Sequence, residues 1–557
     1  MAAAVCRALH QQRPAPPVTK QGVTTPPARG RTTGAIATRG ILRGSVGRPQ
    51  AGPTRHATRQ IGAWREASAS GTEEAVPDGR AHCWLALRGS PSFPRPHPGI
   101  VQHTFVPPNS STGTDHTMRP TALTTLLLTA SLSGAPLTAP GLLAQGGGTP
   151  NSTQRGAVRR APITVIDDVQ VVDVEKQMVT PNRRVVLRGD SVLSVGAMSE
   201  RLPDTVDVRV EGRGGYLIPG LVDHHVHLTP GMSRALTQTA RGGVTMVNAM
   251  AGDNRTAGEY ARAVLARELP GPEIAYASVM AGPDFFVDPR FRGASVGFAF
   301  GTAPWAQAVT SSTDVVRAVS AARGSGAEVL KLYAMIDSTL AARLIAEAHR
   351  QGMRVVAHGT VFPARPSQLV AGGVDILTHV PYLSWQGATT AKPEDAFNRA
   401  NGPYEQVPAD APAIESLLQA MRTRGTFLEP TLEVFVGRPT TAPVMRAWSL
   451  AVTRRAHTIG IPILAGTDGM IGNDADALPN IHKELARLVE AGLSPAAALA
   501  SATIVPARAM GRGKTHGTVA AGRVADLVLL DANPLIDISA TTRIRQVFLK
   551  GQAVRTP

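Results

Sequence analysis

Cysteine, acidic residues and long apolar runs are all scarce in this sequence, and each scarcity removes a class of protein. The chain has two cysteines in 557 residues, Cys6 and Cys83. From residue 118 onward there are none, so a disulfide scaffold and thiolate metal ligands are excluded there. Acids are rare in residues 1–117, which hold 14 Lys/Arg against 5 Asp/Glu, a net of +9 out of the chain's +16. The other 440 residues carry only +7. Aromatics make up 4% of the chain, and no aromatic-basic recognition motif is present, so the basic balance does not point to nucleic acid. No segment beyond residue 144 is long and apolar enough to span a membrane.

Residues 1–117 have neither helical nor strand periodicity and are rich in Arg, Pro, Gly, Thr and Ala. Such a stretch cannot bury enough apolar area to offset chain entropy, and disorder is expected. Met118-Arg119-Pro120 then opens a charged start, an apolar centre at Leu126-Leu127-Leu128, and a small-residue end at Leu142-Leu143-Ala144. That is the layout of a secretory signal peptide over 118–144, with cleavage after Ala144 and export to a periplasm or the medium. A signal peptide is read at an amino terminus, so Met118 is the expected start and 1–117 upstream sequence translated in error. Residues 145–161 read as a linker.

Short β-branched strands follow at Ile163–Ile166, Val169–Val174, Arg184–Leu187, Ser191–Val195 and Val206–Val210. The far end repeats that character at Gly517–Val519, Gly522–Asp531 and Arg545–Gly551. A small β-sandwich built from both flanks, 162–218 plus 518–556, is the economical reading. It encloses residues 219–517, where apolar strands alternate with amphipathic stretches. The strands are Val244–Ala249, Ile274–Met280, Val329–Tyr333, Met353–Ala357, Val374–Thr378, Phe427-Leu428 and Ile461–Ala465. The helices are Gly258–Leu269, Thr313–Arg323, Ser338–Gln351, Ala411–Arg424, Ala442–Ile459 and Ile481–Gly492. Together with the run Tyr216–Leu228, this makes eight βα units and predicts a (β/α)8 barrel.

Catalytic groups of such barrels lie at the carboxyl ends of the strands. Strand one ends in Asp223-His224-His225-Val226-His227, and alternation puts His225 and His227 on one face, where they can share a divalent ion. His224 points the other way. Strand four carries Lys331 with Tyr333 on the same face, strand five ends at His358, strand six at His379 before Tyr382, and strand eight at Gly466-Thr467-Asp468. Four histidines, a lysine and an aspartate at five strand ends exceed what core packing explains. His482 opens a helix near strand eight, where capping or surface exposure is the better reading than substrate contact.

These residues, with Pro219-Gly220-Leu221-Val222-Asp223, Glu490-Ala491-Gly492-Leu493-Ser494-Pro495 and Gly522-Arg523-Val524-Ala525-Asp526-Leu527, resemble the amidohydrolase superfamily, in particular its imidazolonepropionase-like and prolidase-like branch. The resemblance covers about residues 162–556. It implies a binuclear centre in which His225, His227 and Asp468 hold one ion and His358 and His379 the other. Lys331 would bridge them as a carbamate formed with carbon dioxide. Histidine, carboxylate and carbamate ligands make Zn2+ the first expectation, with Mn2+, Co2+ or Fe2+ open. Such a centre would supply a bridging hydroxide for hydrolysis of an amide-type C–N bond, with Asp468 as proton carrier. Tyr333 or Tyr382 could donate to the developing oxyanion or stand as a pocket wall.

The expected substrate is small: a dipeptide, an N-acyl amino acid or a cyclic amide. A mononuclear deaminase and a non-catalytic metal-binding protein are the alternatives. Two long loops carry aromatics: Ala281–Ser312, with Phe285, Phe286, Phe291, Phe298, Phe300 and Trp305, and Pro381–Asp410, with Trp385, Phe397 and Tyr404. They are expected to roof the site or to pack a homo-oligomer. Arg290, Arg292 and Arg399 in these loops are candidates to clamp a substrate carboxylate.

Overall fold

The computed structural model describes residues 160–288, 291, 293–388, 402–469 and 478–555. The leader, both cysteines, Arg290, Arg292, Phe397 and Arg399 lie outside those residues. The chain enters through four strands, β1 Ile163–Asp173, β2 Met178–Arg188, β3 Ser191–Ala197 and β4 Val208–Pro219. Here β1 pairs antiparallel with β2 and parallel with β4.

Gly220 then turns the chain into the barrel, which begins at β5 Leu221–Val226. α1 Ser233–Arg241, β6 Val244–Ala249, α2 Asn254–Leu265 and β7 Glu273–Ala281 follow. The second helix starts four residues ahead of its expected position because the Asp253 side chain accepts the Arg255 N–H and caps it there. A small hairpin, β8 Thr302–Ala303 and β9 Ala306–Ala308, pairs beside the end of β7. Next come α3 Val315–Gly324, β10 Val329–Leu332, α4 Ser338–Arg350 and β11 Arg354–His358. The helices are again capped by aspartates, Asp314 and Asp337. α5 Pro366–Ala371, β12 Ile376–Thr378, α6 Pro412–Arg424 and β13 Phe427–Glu429 complete seven regular barrel strands.

The eighth segment, 461–465, closes the ring without being a regular strand. It meets β13 through one bridge, Leu428 to Ile463, and meets β5 through the His224 N–H donated to Ala465 O at 3.0 Å. Pro462 has no N–H to give, and the Ala465 N–H goes to Ser501 O at 2.9 Å, so a full ladder cannot form. α7 Leu432–Val436 and α8 Pro443–Thr458 precede this segment. α9 Ile481–Glu490, α10 Pro495–Ser501 and α11 Ile504–Ala509 follow it.

The last strands, β14 Leu527–Leu530, β15 Ile544–Leu549 and β16 Gln552–Arg555, return to the first layer. Its order is β16-β15-β14-β4-β1-β2-β3, one mixed seven-stranded sheet drawn from both flanks. The small β domain expected from both flanks is present as a single continuous sheet, not two packed layers, and it carries a buried apolar cluster. Ile166, Leu187, Leu217, Leu527 and Phe548 belong to that cluster. Among the described residues no helix is long and apolar enough to cross a membrane.

Candidate active site

The barrel strands deliver their polar ends to one place. The imidazole rings of His227, His225, His379 and His358 stand in a row with centroid separations of 5.5, 4.9 and 4.7 Å. Asp468 closes over the row, with Oδ1 at 2.8 Å from His227 Nε2 and 3.5 Å from His225 Nε2. Lys331 is wholly buried beside them, its Nζ 3.0 Å from Thr378 Oγ1. Alternation along β5 therefore places His225 and His227 on the site side, as the sequence pattern requires.

The tightest donor set cuts across the expected grouping. Ligand atoms of His225, His379 and Asp468 lie within 4.8 Å of one another. They come from strand six and from the adjacent strands one and eight. The His227 side chain is 40% exposed, whereas that of His225 is 2% exposed, so the former is the more open to solvent.

What orients these rings escaped sequence reading. Glu429, at the end of β13, accepts from His224 Nδ1 at 2.6 Å through one oxygen and from His225 Nδ1 at 2.8 Å through the other. This fixes the His225 tautomer and turns its Nε2 toward Asp468. His379 Nδ1 is held by Thr431 Oγ1 at 2.8 Å, which directs its other nitrogen away from that hydroxyl. Asp223 ties strand one to strand eight, accepting from Thr467 N at 3.0 Å and Thr467 Oγ1 at 2.7 Å. His379, Thr431 and Asp468 all have positive φ, at 68°, 49° and 49°, a backbone state that non-glycine residues keep only where the surroundings enforce it. The same rule that found the histidines, a polar residue at a barrel-strand end, would have found Glu429.

Burial followed by the charge of Lys331 lowers the His225 pKa, which favours the neutral ring with a lone pair to offer. Burial alone would raise Glu429, but the two histidines beside it outweigh that and hold its carboxyl well below the ordinary range. Asp223 is pushed up to about 8 by burial, against three donated hydrogen bonds.

A cavity of about 590 Å3 opens above the row, lined by His225, His227, Lys331, Tyr333, His379 and Asp468 on its floor side. Tyr333 lines it and packs against His358 and Phe285 at 4.8 and 4.4 Å. Tyr382 does not line it; it is buried between His358 and Phe435, at 4.5 and 5.7 Å. Of the first aromatic loop, Phe291 and Ala294 reach the cavity wall, while Phe285 and Phe286 are core and Phe298 and Phe300 are exposed. The second loop does not supply its expected wall from Trp385 and Tyr404. Trp385 packs on Phe362 at 5.9 Å and Tyr404 on Trp448 at 5.6 Å, because each ring finds an apolar partner below the mouth.

His482 corrects another expectation, for it is neither exposed nor a cap. It is buried, with Nε2 2.9 Å from Gly242 O and Nδ1 3.0 Å from Thr541 Oγ1, joining α9 to the turn after α1 and to the chain before β15. Burial lowers its pKa to about 4.

The chain is similar to several solved structures. A Xaa-Pro dipeptidase with bound methionine in the active site matches at 18% identity and a TM-score of 0.54, over 70% of this chain and 99% of that one. A putative prolidase from Bifidobacterium longum matches at 22% and 0.53, over 72% and 96%. The A. niger ochratoxinase matches at 19% and 0.55, over 72% and 96%. No curated protein sequence matches the chain. The model of the amidohydrolase family matches residues 216–554, from the end of the entry sheet through the whole barrel to β16, so the chain belongs to the amidohydrolase family and is a hydrolase of carbon–nitrogen bonds.

Proposed function

We propose that the chain is an exported hydrolase that cleaves the amide-type bond of a small substrate, a dipeptide, an N-acyl amino acid or a cyclic amide, with two divalent ions. The observation that carries this is the convergence of His225, His227, His379, Asp468 and a buried Lys331 on one cavity, with His358 stacked behind His379. The donor set fits cations: imidazoles oriented from behind by Glu429 and Thr431, a carboxylate, and no thiolate. His225, His227, His358, His379, Asp468 and Lys331 as its carbamate would hold them. Zn2+ is the first assignment and Mn2+, Co2+ or Fe2+ the others. When bound, such ions bring the pKa of a water near neutrality and polarise a carbonyl.

The chain's own residues do the rest. Asp468 Oδ1 accepts the proton of the attacking water and delivers it to the leaving nitrogen. Glu429 keeps the proton of His225 on Nδ1, so the ring's other nitrogen stays a lone-pair donor. Tyr333, on the cavity wall, donates its hydroxyl hydrogen to the carbonyl oxygen as charge builds there. The similar dipeptidase and prolidase structures support amides of amino acids as the substrate class.

One observation favours a second reading. The compact trio of His225, His379 and Asp468 is a site for a single ion, as a mononuclear deaminase would use. Elemental analysis of the purified protein separates the two. About two ions per chain, falling in Lys331→Ala, together with amine-plus-carboxylate products, supports the bridged hydrolase. One ion insensitive to Lys331→Ala, with ammonia release, supports the deaminase.

A further inference from the structure

The cavity holds one cation that the ligand set does not use. Apart from Lys331, Arg438 is the one Lys or Arg among its described lining residues. It follows α7 directly after Gly437, and that helix is pinned at its start by Glu484, which accepts the Leu432 N–H at 3.0 Å and the Glu433 N–H at 2.6 Å. The guanidinium has no hydrogen bond or ion pair among the described residues. The two carboxylates on the same wall are committed elsewhere. Asp253 caps α2 and pairs with Arg255, and Asp468 faces the histidines. Most of the remaining wall is apolar, with Leu228, Met250, Phe291 and Val434. Arg438 is exposed to solvent at the cavity's edge, and a guanidinium free of protein partners beside an apolar wall suits a ligand with an apolar body and a carboxylate, which it grips through paired N–H···O bonds. A volume of about 590 Å3 suits a ligand of that size.

Resting on the amidohydrolase reading, we propose that Arg438 binds the free carboxylate of the substrate. The substrate class is then apolar amino acids acylated on nitrogen, with the carboxylate at Arg438 and the acyl C–N bond over the histidines.

The test uses N-acetyl derivatives of leucine, methionine and phenylalanine, each as the free acid and as the carboxamide, with the metal-loaded full chain. Hydrolysis and calorimetric binding are both measured for wild type, Arg438→Met and Arg438→Lys, and thermal unfolding checks that the variants fold. The free acid is expected to exceed its carboxamide by roughly 10- to 100-fold in kcat/KM, expressed mainly in KM. That advantage disappears in Arg438→Met and returns in part in Arg438→Lys. Equal use of acid and carboxamide by wild type, survival of the advantage in Arg438→Met, or no binding of any acid overturns the proposal. Acid-selective binding that is lost in Arg438→Met without any turnover would leave Arg438 as the clamp and remove the hydrolase assignment instead.

Discussion

Glu429 holds His225 from behind: its Oε2 lies 2.8 Å from His225 Nδ1, while its other oxygen holds the neighbouring His224. A buried carboxylate shared by two imidazoles sets both the ring angle and the tautomer of the inner histidine. Glu429→Gln keeps the shape but offers one acceptor where two are needed. Metal affinity is expected to fall about 10- to 100-fold, as read by competition with a chelator. Unchanged affinity would mean that Glu429 is only a packing element.

Asp468 reaches both His227 and His225. Asp468→Asn removes the proton acceptor while keeping an oxygen donor. The expected loss in kcat is about 10²- to 10⁴-fold. Metal content is measured in parallel. If activity falls only in proportion to lost metal, Asp468 is a ligand and not a proton carrier.

The fold should carry an acid-labile joint at His482, which is lowered from an ordinary 6.5 to about 4 by burial. The folded form keeps this ring neutral while the unfolded chain takes up a proton. Its contribution is therefore complete above pH 6.5 and is lost as pH falls through 4. The size is on the order of 3 kcal/mol. Denaturant midpoints for wild type and His482→Gln, taken at pH 7 and pH 4.5, should converge at the lower pH. Parallel losses in both proteins would place the acid sensitivity elsewhere.

Export, proposed from the leader at 118–144, predicts that protein isolated from its native source begins at Gln145. Amino-terminal sequencing decides it. A terminus upstream of residue 118 would remove both the leader and the assignment of Met118 as the start.

The alternation of apolar strands with amphipathic stretches was enough to predict the barrel, because each βα unit repeats the same burial demand and only a closed parallel sheet satisfies eight in succession. His225, His227, Lys331, His358, His379 and Asp468 were legible for a related reason. They sit at strand ends, where local sequence alone says which direction a side chain leaves the sheet. Helix starts were less legible: α2 begins at Asn254 because Asp253 caps it, a choice made by one side chain rather than by periodicity.

Pairings between distant strand ends were decided by tertiary structure. Glu429 meets His225 across 204 residues, and Asp468 meets His227 across 241. Nothing local marks which strand end each residue meets, since barrel closure alone brings their strands together. The grouping of His225 with His379, the burial of His482 and the place of Arg438 on the cavity wall belong to the same class. Periodicity determines which face a residue takes, but only packing in three dimensions determines what stands opposite it.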